Sequence, residues 1–222
     1  MVKAIFIDFY GTVVFEDGEC VGKISQLIYE TGKAESVGAI DNYWWKRFKT
    51  LFEKSYGEMF KTQRELETQS LKDTIEYFAS TADANMLSNE MFKYWMAPPI
   101  FEESKEFFEK SPVPIYIVSN IDRNDILQAI EFYGLKPAGI FTSEDARSYK
   151  PRKELFELAL ASTGLSAEQV VHIGDSLSSD IEGAGALGIR TLWINRGKKK
   201  VPEGVVSISN MLEIFDKVEF VD

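Results

Sequence analysis

The chain has 222 residues, 45% of them hydrophobic, and a formal charge of -10 at neutral pH. With that composition disorder is not the default, and the chain has enough apolar surface for one domain or two modest ones. The negative charge argues against nucleic acid or an anionic membrane as partner, since both require a concentrated positive field.

The first predicted element is the apolar run Ala4-Ile5-Phe6-Ile7, which has the length of a strand covered on both faces and stops at a carboxylate, Asp8, followed by Phe9-Tyr10-Gly11-Thr12. Asp8 is therefore expected at the carboxyl end of a strand, the edge where open α/β sheets bind ligands. A carboxylate there serves as nucleophile or metal ligand, or it merely opens an Asx-type turn. Between Val13 and Val21 the dipeptide Asp17-Gly18 signals a hairpin. From about Val21 to Met96 helical periodicity takes over. Trp44, Phe48, Leu51, Phe52, Ser55 and Met59 recur at three- and four-residue steps and predict one buried helix face. Ser70 to Phe78 continues the helical character, which ends near Ala97-Pro98-Pro99, where two prolines favour extended chain. A helical insert is thus expected over 18–97, inside a sheet domain made of 1–17 and 98–222.

Beyond Phe101, helices near 102–110, 123–133, 152–163 and 178–187 alternate with strands at 114–119, 139–142, 170–174 and 190–194. Gly134, Gly164 and Gly188 close the last three helices. Such alternation makes an α/β fold, a parallel sheet with helices on both faces. Lys198-Lys199-Lys200 reads as a solvated loop. The lone Cys20 cannot form an internal disulfide, no signal-peptide pattern precedes the first strand, and no apolar run reaches membrane-spanning length. A soluble cytoplasmic protein is expected.

Three later stretches repeat the design of an apolar strand or loop ending in polar residues: Ile115 to Val118 before Ser119-Asn120, Ser148-Tyr149-Lys150-Pro151, and Val170 to Ile173 before Gly174-Asp175-Ser176-Leu177-Ser178-Ser179-Asp180. With Asp8 first, this order of carboxylate, hydroxyl, lysine and paired carboxylates resembles the haloacid dehalogenase-like (HAD) hydrolases, from Lys3 to about Gly197. The resemblance implies a Rossmann-like doubly wound parallel core with an inserted helical cap of type 1, and a hairpin flap after the first strand. It also implies that Asp8 attacks the substrate to form a covalent aspartyl intermediate, that Thr12 holds the loop, and that Ser119, with Asn120 beside it, binds a phosphoryl oxygen. Lys150 would orient Asp8. Asp8, the Tyr10 carbonyl and Asp175 would hold Mg²⁺, with Asp180 supporting the site nearby. The plainer readings are a helix cap for Ser119, a solvated loop for Lys150 and a response to the helix dipole for Asp180. His172, the only histidine, lies within a strand and is expected to pack into the sheet.

Tyr10 departs from the phosphatase pattern, which usually has a second Asp there as general acid. An unperturbed phenol, with a pKa of about 10, is a poor base near neutrality. Asp-x-Tyr-Gly-Thr is similar instead to the L-2-haloacid dehalogenases, which need neither metal nor a proton for the leaving halide. Those enzymes typically have Ser and Asn in the fourth motif and a cap arginine on the substrate carboxylate, for which Arg47 is out of register. Three readings follow: a Mg²⁺-dependent phosphatase of a small phosphorylated molecule, preferred because of Asp175; a metal-independent 2-haloacid dehalogenase; and a HAD-like binding protein without turnover.

Overall fold

A computed structural model of the chain describes residues 1–221. The run Ala4–Ile7 forms strand β1, with all four side chains buried. Five further strands, β2 (Ile115–Ser119), β3 (Gly139–Thr142), β4 (Val170–Gly174), β5 (Arg190–Ile194) and β6 (Ser207–Ile208), join it in one parallel sheet of order β3-β2-β1-β4-β5-β6. The order reverses at β1, and in open α/β sheets such a reversal marks the edge, beyond the carboxyl ends of the strands, where ligands bind. Ile7 is level with Ile117 on one side and Ile173 on the other, so the residues following β1, β2 and β4 reach a common edge.

Alternation along the strands sends Ala4 and Phe6 into a core with Val118, Leu155, Phe156 and Ala159. Each fully buried large apolar side chain contributes about 1.5–3 kcal/mol. Strand β6 was not expected: Ser207-Ile208 lacks a strand's apolar run, and its pairing with Trp193 and Ile194 makes the strand.

The chain divides into two compact units. One comprises Met1–Phe15, Pro99–Asn120 and Tyr133–Asp222 and holds the sheet; the other comprises Glu16–Pro98 with Ile121–Phe132. Most of the helix Arg123–Tyr133, counted with the sheet from sequence, thus groups with the helical unit. Beside it in that unit run four further helices, α1 (Gly18–Thr31), α2 (Val37–Phe52), α3 (Gln63–Tyr77) and α4 (Ala84–Met96). Ser36 and Asp83 cap α2 and α4, and Thr62 with Glu65 forms a capping box on α3. Asp122 accepts the amides of Gln63 and Arg64 at 2.7 and 2.9 Å, and Arg64 ion-pairs with Asp125.

Two local expectations are corrected. Asp17-Gly18 makes no hairpin turn: Gly18 opens α1 without the positive φ that a type I′ turn requires, and Val14 bridges Ile100 instead. The aromatic stripe stops at Phe52. Ser55 and Met59 lie beyond the end of α2, where Gly57 takes a positive φ of 58°, and Met59 is 72% exposed. No helix among the described residues is long and apolar enough to cross a membrane.

Candidate active site

Asp8 follows β1 directly, and Oδ1 of its buried carboxylate accepts from Lys150 Nζ at 2.7 Å and Ser119 Oγ at 3.0 Å. The Lys150 ammonium also donates to the Val118 carbonyl at 2.8 Å and to Asp180 Oδ1 at 2.7 Å, so its three N–H groups meet three acceptors. Its side chain is 1% exposed. The Asn120 amide clamps the lysine backbone from both sides, donating to the Lys150 carbonyl at 3.0 Å and accepting its N–H at 2.7 Å.

The second and third carboxylates follow β4. Ser176 starts a π-helical turn over Leu177–Glu182, a geometry frequent at functional sites. The turn brings Asp180 back over Gly174, and its Oδ2 accepts the Ser176 N–H at 3.1 Å. Only glycine permits that approach, because a Cβ on residue 174 would lie 2.1 Å from Asp180 Cγ. Gly11 serves Asp175 in the same way: its φ is +85°, and a Cβ there would fall 2.7 Å from the Asp175 carboxylate. Thr12 Oγ1 lies 3.4 Å from Asp175 Oδ1, and the Trp193 indole N–H donates to the Asp175 carbonyl at 2.7 Å. One ligating atom from each of Asp8, Asp175 and Asp180 lies within 4.8 Å of the others.

This order of strand-end residues is matched by the family model of haloacid dehalogenase-like hydrolases over residues 2–188. The chain belongs to that family. The HAD-hydrolase YfnB of Bacillus subtilis (strain 168) is 39% identical over 93 residues, 40% of each chain. A ribulose-1,5-bisphosphate 5-phosphatase of Halopiger xanaduensis is 32% identical over 108 residues, 45% of each chain. The aligned stretches thus span less than half the length of these relatives. In three dimensions the magnesium-bound crystal structure of YfnB superposes with a TM-score of 0.77 at 20% identity, covering 97% of this chain and 98% of that one. The L-2-haloacid dehalogenase of Xanthobacter autotrophicus gives 0.75 at 14% identity, covering 96% and 97%. Both likenesses establish the HAD fold.

Within this HAD site the charges are unevenly shared. Burial alone would raise the Asp180 carboxyl, but the Lys150 ammonium and the His172 contact outweigh it and hold Asp180 well below the usual carboxylate range. Burial likewise opposes charge on Lys150, and Asp180 and Asp8 together overcome it, so its pKa is raised. Asp8 ends above its ordinary value: burial raises it, Lys150 pulls it down, and the neighbouring Asp180 charge pushes it up again. Lys150 bridges Asp8 and Asp180, and Asp175 adds a third carboxylate oxygen within 4.8 Å of theirs, a cluster in which a divalent cation would offset the negative charge. A donor set made of oxygens suits a hard ion such as Mg²⁺.

Asp8, Thr12, Ser119, Asn120, Lys150, Asp175 and Asp180 gather at the one sheet edge, and Tyr10 is half-buried with its ring edge-on to Phe9 at 5.2 Å. The solvated-loop reading of Lys150 fails on its burial. Asp180 does more than answer a helix dipole: Lys150 and His172 bind its Oδ1, and the Ser176 amide binds its Oδ2. Trp193 and Arg196 were missed. Arg196 donates to the Thr12 carbonyl at 2.8 Å, pairs with Glu103 at 2.5 Å and stacks over Phe101. Their signal was their place at the end of the strand beside the acidic motif.

Proposed function

We propose that this HAD hydrolase is a Mg²⁺-dependent phosphatase of a small phosphorylated metabolite, working through an aspartyl-phosphate on Asp8. The observation that carries the reading is Asp175, which brings a third carboxylate oxygen within 4.8 Å of those of Asp8 and Asp180. Such crowding is electrostatically costly unless a cation lies in it. Asp8, the Tyr10 carbonyl and Asp175 would hold the ion, which would offset the negative charge of the phosphoryl group. The phosphatase name of the Halopiger relative and the magnesium in the YfnB crystal support the same choice.

Lys150 and Ser119 both donate to Oδ1 of Asp8, which fixes the carboxylate plane and leaves Oδ2 outside those two bonds. An Asp8 carboxylate oxygen attacks phosphorus as the bond to the leaving oxygen breaks, and that oxygen departs with the electron pair. Water then attacks phosphorus, releasing inorganic phosphate and restoring the carboxylate. The helical unit is read as the family's type 1 cap, which selects the substrate.

The second reading, a 2-haloacid dehalogenase, rests on Tyr10. Against it, the Arg47 guanidinium is already paired with Asp73, so no substrate carboxylate is needed to neutralise it. Phosphate esters and 2-chloropropionate, each tested with Mg²⁺ and with EDTA, separate the readings. Phosphate release that needs Mg²⁺ supports the first, and chloride release in EDTA supports the second.

A further inference from the structure

We infer that His172 is a positioning residue for the nucleophile, acting through Asp180 and Lys150. The inference rests on Asp8 being the attacking group. His172 lies in β4 between Phe6 of β1 and Thr191 of β5, fully buried, where its neighbours Val170, Val171 and Ile173 are all apolar. Its ring meets Phe156 edge-on at 5.1 Å, as an apolar ring could. What distinguishes it is Nε2, 3.0 Å from Asp180 Oδ1.

An ionised carboxylate only accepts, so Nε2 carries the hydrogen. Nδ1 is buried with no partner among the described residues. An unsatisfied buried polar atom destabilises the fold, and a wholly apolar side chain would avoid it. The histidine therefore works against stability at one nitrogen while supplying a bond at the other.

That bond ends on the oxygen that also receives the Lys150 ammonium at 2.7 Å. With all three N–H groups engaged, the ammonium's place is fixed by Asp8, Asp180 and the Val118 carbonyl jointly. The Ser176 amide holds Asp180 at Oδ2, and His172 holds it at Oδ1. Removing the histidine N–H frees Oδ1 to shift toward the ammonium's side of the cluster. Lys150 is then drawn off Asp8, and the carboxylate plane is no longer set. The effect reaches the reacting atoms through two hydrogen bonds without His172 touching the substrate.

His172→Phe keeps the ring and its contact with Phe156 and removes the donor; His172→Gln keeps an N–H at nearly the reach of Nε2. With p-nitrophenyl phosphate and saturating Mg²⁺, His172→Phe is expected to lose about 10- to 100-fold in kcat, the range seen when a partner that orients an active-site ligand is removed. KM should move little, and the thermal midpoint should stay level or rise because the orphan nitrogen is gone. His172→Gln should recover most of kcat. A wild-type kcat in His172→Phe would overturn the inference, as would a kcat loss matched by a fallen midpoint and not recovered by Gln. If the wild type turns over neither this ester nor 2-chloropropionate, the proposed reaction fails on its own. The crystal structure of His172→Phe then decides: Lys150 Nζ displaced from Asp8 Oδ1 supports the positioning role, and an unchanged contact refutes it.

Discussion

Lys150 Nζ stands 2.7 Å from Asp8 Oδ1, and both side chains are nearly sealed from solvent. An ammonium buried this deeply is tolerated because carboxylates surround it, and the carboxylates are tolerated because of the ammonium. The same bond fixes the orientation of the proposed nucleophile.

Lys150→Met leaves Asp8 and Asp180 buried without their shared cation. Breaking a buried ion pair from one side typically costs about 3–5 kcal/mol. Urea unfolding of the variant should show a loss of that order, and adding Asp180→Asn should return part of it. Additive losses would mean that the two residues are not coupled.

The half-buried Tyr10 lies where HAD phosphatases usually place a carboxylic acid. With no such acid, the rate should depend on how readily the leaving oxygen departs unaided, and aryl phosphates should outpace alkyl phosphates. Tyr10→Asp should raise kcat/KM selectively for alkyl esters, toward the range of about 10²- to 10⁴-fold that general acid catalysis supplies. The check is the aryl-to-alkyl ratio in parent and variant. An equal preference in the parent and no alkyl gain would mean that another group delivers the proton.

The strand ends could be read from sequence because each required chemistry appears as an apolar run broken by a polar residue. Asp8, Ser119 and Asp175 were found in that way. Partners reached across the fold could not be. His172 reads as a packing residue because strand alternation places it in the sheet, yet a π-helical turn returns Asp180 to it over Gly174. Nothing local in Leu177–Glu182 distinguishes that turn from an ordinary helix. Asp17-Gly18 failed for a similar reason: the dipeptide opens a helix as readily as it closes a hairpin, and Ile100, far along the chain, took the bridge with Val14.

Glu67 in α3 is 7% exposed, and one of its oxygens has no partner among the described residues. Burial, reinforced by the Asp17 charge, pushes its carboxyl up to about 8 from an ordinary value of 4.5. In the unfolded chain it ionises near the lower value, so unfolding releases a proton between the two. The stability associated with the protonated group is intact below about pH 4.5 and is lost as pH rises through about 8. Glu67→Gln should remove that slope, matching the parent near pH 4 and exceeding it by on the order of 3 kcal/mol at pH 7. Thermal or urea unfolding across this range checks it; parallel pH profiles would contradict the assignment.

The covalent state of Asp8 tests the central proposal most directly. The enzyme is mixed with acetyl phosphate and Mg²⁺, quenched in acid within its first turnovers and digested, and the peptide containing Asp8 is examined by mass spectrometry. The account predicts a phosphoryl group on Asp8 that is absent in EDTA and in Asp8→Asn. Phosphate release with an unmodified Asp8 peptide at every quench time, or with the label on another residue, would contradict it.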